Sequence, residues 1–239
     1  MSFEMILQQL ALGFTKTLLV FCLTLLFSMP LGLLVCLGRM SKWAPFRFLV
    51  RENDQPGKVR RSLASFRPIQ LLFKFFIDIL RGTPLMLQLL AVCYGPYYLF
   101  GISLGKNWTF TALILGFVIN YAAYFAEIFR SGIQSIPQGQ YEAAKVLGYT
   151  KTQTFFRIIL PQVVKRVLLP VCNEVITLIK DTALASTVAV VDLMTVAKKQ
   201  VASSSSIEPY AVAIVMYLIL NGVAEQLCKV CERKLDYYR

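Results

Sequence analysis

The only charge in the apolar run from Val167 to Ile179 is the carboxylate of Glu174. A carboxylate at membrane depth costs about 2.5–3.5 kcal/mol on insertion scales, and it faces a protein interior or a watery path. Glu174 lies nine residues past Lys165, about 14 Å at 1.5 Å per residue, which brings it near the bilayer midplane. Two roles fit: receiving the ammonium group or basic side chain of a passing solute, or bonding a neighbouring helix through Asn120 or a tyrosine. Asn120, Tyr124 and Thr177, at helical offsets of four and three, are candidates to line the same space.

A second group of residues fits mechanical work. Glu142-Ala143-Ala144 is followed by Gly148, then by Ile158, Leu160 and Pro161. Ser135-x-x-Gln138 has the form of a capping box with Pro137 in the first turn, predicting a short helix from about Pro137 to Leu147. Gly148 would end that helix in the left-handed conformation, and Thr150-x-x-Gln153 repeats the capping signature for a helix that re-enters through Pro161. Tyr141, Ala144 and Leu147 recur at three-residue spacing, with Ala143 as a further small contact. Such a helix suits insertion into a cleft of a soluble partner, or is simply a solvated amphipathic helix.

The elements that must position these residues are membrane helices. The 239 residues are 56% hydrophobic and 16% charged, with a mean hydropathy of +0.60, too apolar for an ordinary soluble domain. The uncharged runs predict spans at about 17–37, 82–105, 107–126, 165–183 and 209–226, in one membrane domain covering 1–239. The run at 17–37 is too long for a cleaved leader and is followed by a basic segment, so it reads as a retained span. Tyr94, Tyr97 and Tyr98 suit a membrane interface. Ile69 to Leu80 has the amphipathic pattern of an interfacial helix leading into Arg81-Gly82-Thr83-Pro84, where glycine and proline break it.

The net charge of +12 does not call for nucleic acid, because 20 of the 25 Lys and Arg residues fall in three segments, 39–81, 130–166 and 229–239. The positive-inside rule makes these cytoplasmic, which puts the N-terminus outside and the C-terminus inside. The cytoplasmic excursion 41–68 and a second cytoplasmic loop at 130–161, the one that holds Glu142 to Pro161, follow. Lys198 and Lys199 lie on the external side against this trend. The six cysteines mostly lie within apolar spans and imply no disulfide framework. Cys228-x-x-Cys231 without any histidine is a weak metal or redox signal, and no metal site is expected.

With these elements in place, the spacing from Glu142 to Pro161 resembles the cytoplasmic loop of ABC-importer permeases. Arg81-Gly82-Thr83-Pro84-Leu85 with Gln88-Leu89, Ala123-Tyr124 with Ala126-Glu127-Ile128 and Arg130, Gly132 to Pro137, and Lys180 to Leu184 look like the polar amino acid branch (histidine/arginine/glutamine-type permeases). The resemblance implies an all-α membrane protein of five transmembrane helices, with a coupling helix between spans 3 and 4. In it Glu142, Ala143, Ala144 and Gly148 would form the ATPase-coupling helix. Asn173-Glu174-Val175 resembles permeases for amino acids with positively charged side chains, with Glu174 touching ligand.

The expected function is therefore the transmembrane subunit of an ATP-driven importer of polar amino acids, basic ones among them. The expected place is the cell membrane of a prokaryote, as a multi-pass protein. Its partners would be a cytoplasmic ABC ATPase dimer, a second permease copy or homologous permease, an external binding protein and the lipid bilayer. The chain has no phosphate-cradling GxxxxGK[ST], so ATP and Mg belong to the partner ATPase and no cofactor is expected here. Alternatives are a permease for another small nutrient such as methionine, a self-sufficient channel, and a membrane-embedded enzyme using Glu174. The last is disfavoured by the absence of histidine and of a second catalytic group at helical spacing.

Overall fold

The computed structural model describes residues 3–46, 64–103, 105 and 108–235. Residues 47–63 of the expected excursion lie outside the described residues. All regular structure among the described residues is helical. The elements are α1 (Phe3–Arg39), α2 (Pro68–Gly82), α3 (Leu85–Phe100), α4 (Trp108–Gln134), α5 (Gln138–Val146) and α6 (Lys151–Gln153). A π-helical turn (Thr154–Ile159) then leads to α7 (Leu160–Asp181), a 3-10 segment (Thr182–Val188), α8 (Leu193–Ser204) and α9 (Glu208–Lys234).

Three of these, α1, α4 and α9, are long and apolar enough to cross a membrane; a fourth crossing results if α2 and α3, bent by 107° at their junction, count as one broken span. α7 carries Lys165, Arg166, Glu174, Lys180 and Asp181 and owes its place to packing. α1 begins well before the expected residue 17, because Phe3 to Lys16 continues the helix on one buried stripe of Ile6, Leu10 and Gly13. The sequence reading missed α8, which lies between the expected spans at 165–183 and 209–226. In fact Asp192 caps it, accepting from the amides of Thr195 (2.8 Å) and Met194 (3.3 Å).

The core is organised around α4. Leu113, Phe117, Tyr121 and Phe125 are buried against Val20 of α1, Leu89 and Cys93 of α3, Leu178 of α7, and Ala185 and Val188 of the 3-10 segment. α1 approaches α4 closely at Gly32, where an added Cβ would stand 2.8 Å from Phe125 Cβ and 3.0 Å from the Ala122 carbonyl. Small residues allow this approach, which substitutes for a hydrophobic drive where the surroundings are themselves apolar. At the other end of α1, Thr17 Oγ1 accepts from the Leu193 amide (3.1 Å), and Gln200 donates to the Ile6 carbonyl (3.3 Å) and to Gln9 (3.0 Å). These bonds tie α8 to α1.

The structure corrects the expectation that the cysteines stay unpaired. Cys172 of α7 and Cys228 of α9 form a disulfide with a Cα–Cα distance of 5.9 Å, while Cys231, the other half of the C-x-x-C pair, is free. The pairing could not be read from spacing, because it depends on α7 and α9 lying side by side.

Replacing Gly32 with valine should force α1 off α4 and lower stability by about 1–3 kcal/mol, as overpacked cores do. Thermal denaturation of the purified membrane protein measures this, and an unchanged midpoint would mean that the two helices do not pack here.

Candidate functional site

The junction between α2 and α3 exposes carbonyl groups that a continuous helix would have bonded. Arg81-Gly82 ends α2, Thr83 is extended (φ −121°, ψ 148°), and Pro84 N-caps α3 without offering an amide. Side chains take over. The Thr83 hydroxyl donates to the Ile79 carbonyl (2.8 Å). Gln88 Nε2 reaches back to the carbonyls of Leu80 (2.9 Å) and Thr83 (3.1 Å) and to Thr83 Oγ1 (2.7 Å). From α4, Asn120 Nδ2 donates to the Leu80 carbonyl (3.2 Å) and to Gln88 Oε1 (2.9 Å). Asn120 is 3% exposed, so its amide is committed to this clamp. The pull of a buried carbonyl for a donor explains why polar residues recur here in an apolar helix.

The clamp holds Arg81, the last cation of α2, at the mouth of a cavity of about 580 Å³ between α4 and α7. Tyr124, Glu127, Ile128, Ser131 and Gly132 form the α4 wall, and Arg166, Pro170 and Glu174 form a stripe at four-residue spacing on α7. The volume falls within the about 300–1,000 Å³ of small-molecule sites. Arg81 lies over the Tyr124 ring, with its guanidinium carbon 5.2 Å from the centroid, a cation–π contact.

The charged groups in this cavity divide sharply. Glu127 and Arg130 form an ion pair, with Arg130 Nε donating to Glu127 Oε2 at 2.9 Å. Arg166 donates to the Ser135 carbonyl at the end of α4. Glu174, half-buried, and Arg81, exposed, have no hydrogen bond or ion pair among the described residues, and both line the cavity. Asp181, seven residues beyond Glu174, lies outside the cavity wall and accepts from the Tyr121 hydroxyl at 2.7 Å.

Of the four residues singled out from sequence, Glu174 and Tyr124 share this cavity. Asn120 is turned to the clamp, and the Thr177 hydroxyl, which is exposed, donates to the Asn173 carbonyl at 2.9 Å. Sequence reasoning missed Arg81. Its signal was the Arg-Gly-Thr-Pro tetrad itself, since a broken helix leaves its terminal side chain free to enter a space between neighbours.

The loop from Ser135 to Ile159 forms an elbow. α5 closes in a Schellman turn: the Gly148 amide bonds the Lys145 carbonyl (3.1 Å), the Tyr149 amide bonds the Ala144 carbonyl (3.0 Å), and Gly148 has φ +77°. The Thr150–Gln153 capping box forms as expected. The one at Ser135 does not: Ser135 Oγ donates to the Gly132 carbonyl (2.7 Å), finishing α4, and Pro137 occupies the N-cap of α5. Ala144 is buried, because it faces the chain's own re-entering segment. Glu142 and Ala143 are exposed, and Val146 and Leu147 stand out at 87% and 73% exposure.

The binding-protein-dependent transport system inner membrane component family matches residues 62–237. The chain is 32% identical over 230 residues to the L-cystine transport system permease protein of Bacillus subtilis, covering 95% of this chain and 86% of that one. It is 34% identical to the arginine transport system permease protein of the same organism, over 72% of this chain and 78% of that one. Among solved structures, an amino acid ABC transporter with histidines superposes with a TM-score of 0.79 at 29% identity, covering 98% of this chain and 99% of that one. A methionine ABC transporter, at 18% identity and a TM-score of 0.67 over the same coverage, shares the fold.

Asn120→Leu and Gln88→Leu should each strip a donor from the Leu80 carbonyl and cost about 1–3 kcal/mol. Because the two share that carbonyl and bond each other, the double variant should lose less than the sum. Thermal denaturation of the three proteins decides this; strict additivity would dissolve the clamp.

Proposed function

The chain belongs to the binding-protein-dependent transport system inner membrane component family, and on that footing we propose that it is the membrane-spanning half-channel through which an ATP-driven importer moves polar amino acids. It is a permease subunit, and ATP with its Mg is bound and hydrolysed by a separate ATPase dimer. A soluble binding protein on the external face delivers the amino acid. A second copy of this chain, or a homologous permease, completes the path, since the α4–α7 cavity is open on one side. We place the protein in the cell membrane of a prokaryote with five crossings, α1, the broken α2–α3 pair, α4, α7 and α9. The N-terminus lies outside and the C-terminus inside, in line with the distribution of Lys and Arg.

The observation that carries this reading is the elbow. α5 holds Val146 and Leu147 outside every hydrophobic cluster, at the end of the molecule bearing Arg130, Lys145, Lys151 and Arg157. Apolar side chains held in the open by a rigid turn need a partner to cover them. Glu142, Ala143, Val146 and Leu147 present that surface to the ATPase groove, while Ala144 and Gly148 fix its angle. The re-entering segment is continuous with α7, so a push on α5 is transmitted along α7 to Glu174. Nucleotide-driven closure of the two ATPases thereby swings the cavity between outward-open and inward-open. Within the cavity, Glu174 receives the ammonium group of the amino acid and Tyr124 packs beside it. The relatives named for cystine and arginine transport support amino acids as the cargo.

Gly148→Asp forces a β-carbon into a left-handed position at a cost of about 1–2 kcal/mol and should distort the Schellman turn. Proteoliposomes containing the variant, its ATPase and its binding protein should insert normally yet show uptake lowered by about tenfold or more; full ATP-driven uptake would sink the docking role of α5. In the same assay Glu174→Gln should depress uptake while leaving ATPase association intact, and undiminished uptake would remove Glu174 from the solute path.

A further inference from the structure

A second space, between α1 and α8, lies apart from the α4–α7 cavity and owes its shape to Gly13. A Cβ there would stand 3.0 Å from Leu193 Cα and from Val196 Cγ2, so the bare glycine lets α8 lie close against α1. The Leu193 amide then reaches Thr17 Oγ1 (3.1 Å) and Gln200 reaches the Ile6 carbonyl (3.3 Å), which fixes the two walls. Between them is a groove of about 470 Å³ with Gly13 at its base, an apolar lining of Leu12, Val191 and Val196, and Lys16 and Lys199 opening on it. Leu12 is 71% exposed and Val191 49%.

Lys16 is the single charge of α1 between Glu4 and Arg39. It stands 23 residues before Arg39, about 34 Å along the helix, close to the about 30 Å of a bilayer core, so the two cations mark the two headgroup layers. Lys199 comes to the same groove from α8, on the side of the membrane where cations are otherwise scarce in this chain. Neither lysine has a hydrogen bond or ion pair among the described residues, whereas the adjacent Lys198 donates to Ser186 Oγ (3.0 Å). No acid lines the groove among the described residues. Asp192, before α8, is buried and its carboxylate is taken by Thr195 and the Met194 amide.

Building on the membrane placement proposed above, we propose that this groove holds one anionic phospholipid, its headgroup facing Lys16 and Lys199 and its apolar part on Leu12, Val191 and Val196. The lining sets the class. Two cations with no acid beside them favour a headgroup of net negative charge, because a zwitterionic headgroup brings a cation of its own to meet them. The exposed apolar lining needs hydrocarbon to cover it, which a free phosphate or an acidic soluble surface does not supply. Lysine serves both demands, since its stem lies along apolar surface while its ammonium stays in the headgroup layer. With the N-terminus outside, the lipid is one of the outer leaflet, and it bridges α1 and α8.

The test titrates the purified full-length permease–ATPase complex in detergent with dioleoyl phosphatidylglycerol, dioleoyl phosphatidylcholine or the chain-free headgroup glycerophosphoglycerol, and reads bound molecules by native mass spectrometry. Phosphatidylglycerol should bind about tenfold more tightly than phosphatidylcholine. The double variant Lys16→Gln/Lys199→Gln should bring phosphatidylglycerol down to the phosphatidylcholine level, while Lys198→Gln, outside the groove, keeps the preference. Unchanged phosphatidylcholine binding and an unchanged thermal midpoint in detergent report that the double variant is folded. Equal binding of the two lipids by the wild type, or a preference that survives in the double variant, would overturn the proposal. Glycerophosphoglycerol binding as tightly as phosphatidylglycerol would make this an anion site and overturn the lipid. If the double variant keeps the lipid preference yet loses binding-protein-dependent uptake in proteoliposomes, the lysines serve the binding protein and the proposal falls. Wild-type protein that shows the lipid preference but no uptake would count against the permease reading and leave the lipid site standing.

Discussion

An apolar surround offers no water to an unpaired carbonyl, and the turn from α2 into α3 is where this chain meets that constraint. The bend of 107° frees the carbonyls of Ile79, Leu80 and Thr83, and three side chains from three places in the sequence close on them. Backbone groups without a partner are costly away from water, and Thr83, Gln88 and Asn120 together bond those that the bend leaves open. The bend in turn ends α2 at Gly82 and leaves Arg81, one residue before, exposed at the cavity mouth. Without it, α2 and α3 would run on as one helix and Arg81 would not sit at the cavity mouth.

α4 links this constraint to the rest of the fold. Its face with Phe117, Tyr121 and Phe125 builds the core, Asn120 reaches the clamp, and Tyr124, Glu127, Ile128 and Gly132 line the cavity. Tyr121 also binds Asp181 at the end of α7. A single helix therefore holds the relative positions of α2 and α7, the two elements that supply Arg81 and Glu174. α7 is tethered on its other side to α9 through Cys172 and Cys228, and continues at its start into the elbow. The elbow thus runs directly into the helix that carries Arg166, Pro170 and Glu174.

Much of the local structure was legible because it depends on neighbours in the chain. The Gly148 turn and the Thr150–Gln153 capping box follow from residues a few positions apart, and both formed. Ser135 shows the limit of the same logic. Its sequence context suits an N-cap, yet its hydroxyl satisfies the end of the preceding helix, because α4 runs on to Gln134 and needs a donor there. α8 escaped notice for a related reason: its twelve residues are polar on one side and only Asp192 and the packing of α1 mark it as a separate helix.

By itself the sequence determined that the chain is helical and apolar enough for a membrane, that its cations gather in three segments, that a glycine turn and a capping box lie before Pro161, and that Glu174 is an expensive charge in an apolar run. Periodicity, capping and charge distribution are local or summed properties, so one dimension contains them. The tertiary structure alone decided that Arg81 and Glu174 line one cavity, that Asn120 serves the backbone, that Ala144 faces inward, and that Cys172 meets Cys228. Each of these is a choice of partner across tens of residues, made by which helices pack side by side and by which carbonyls their bends leave without a bond.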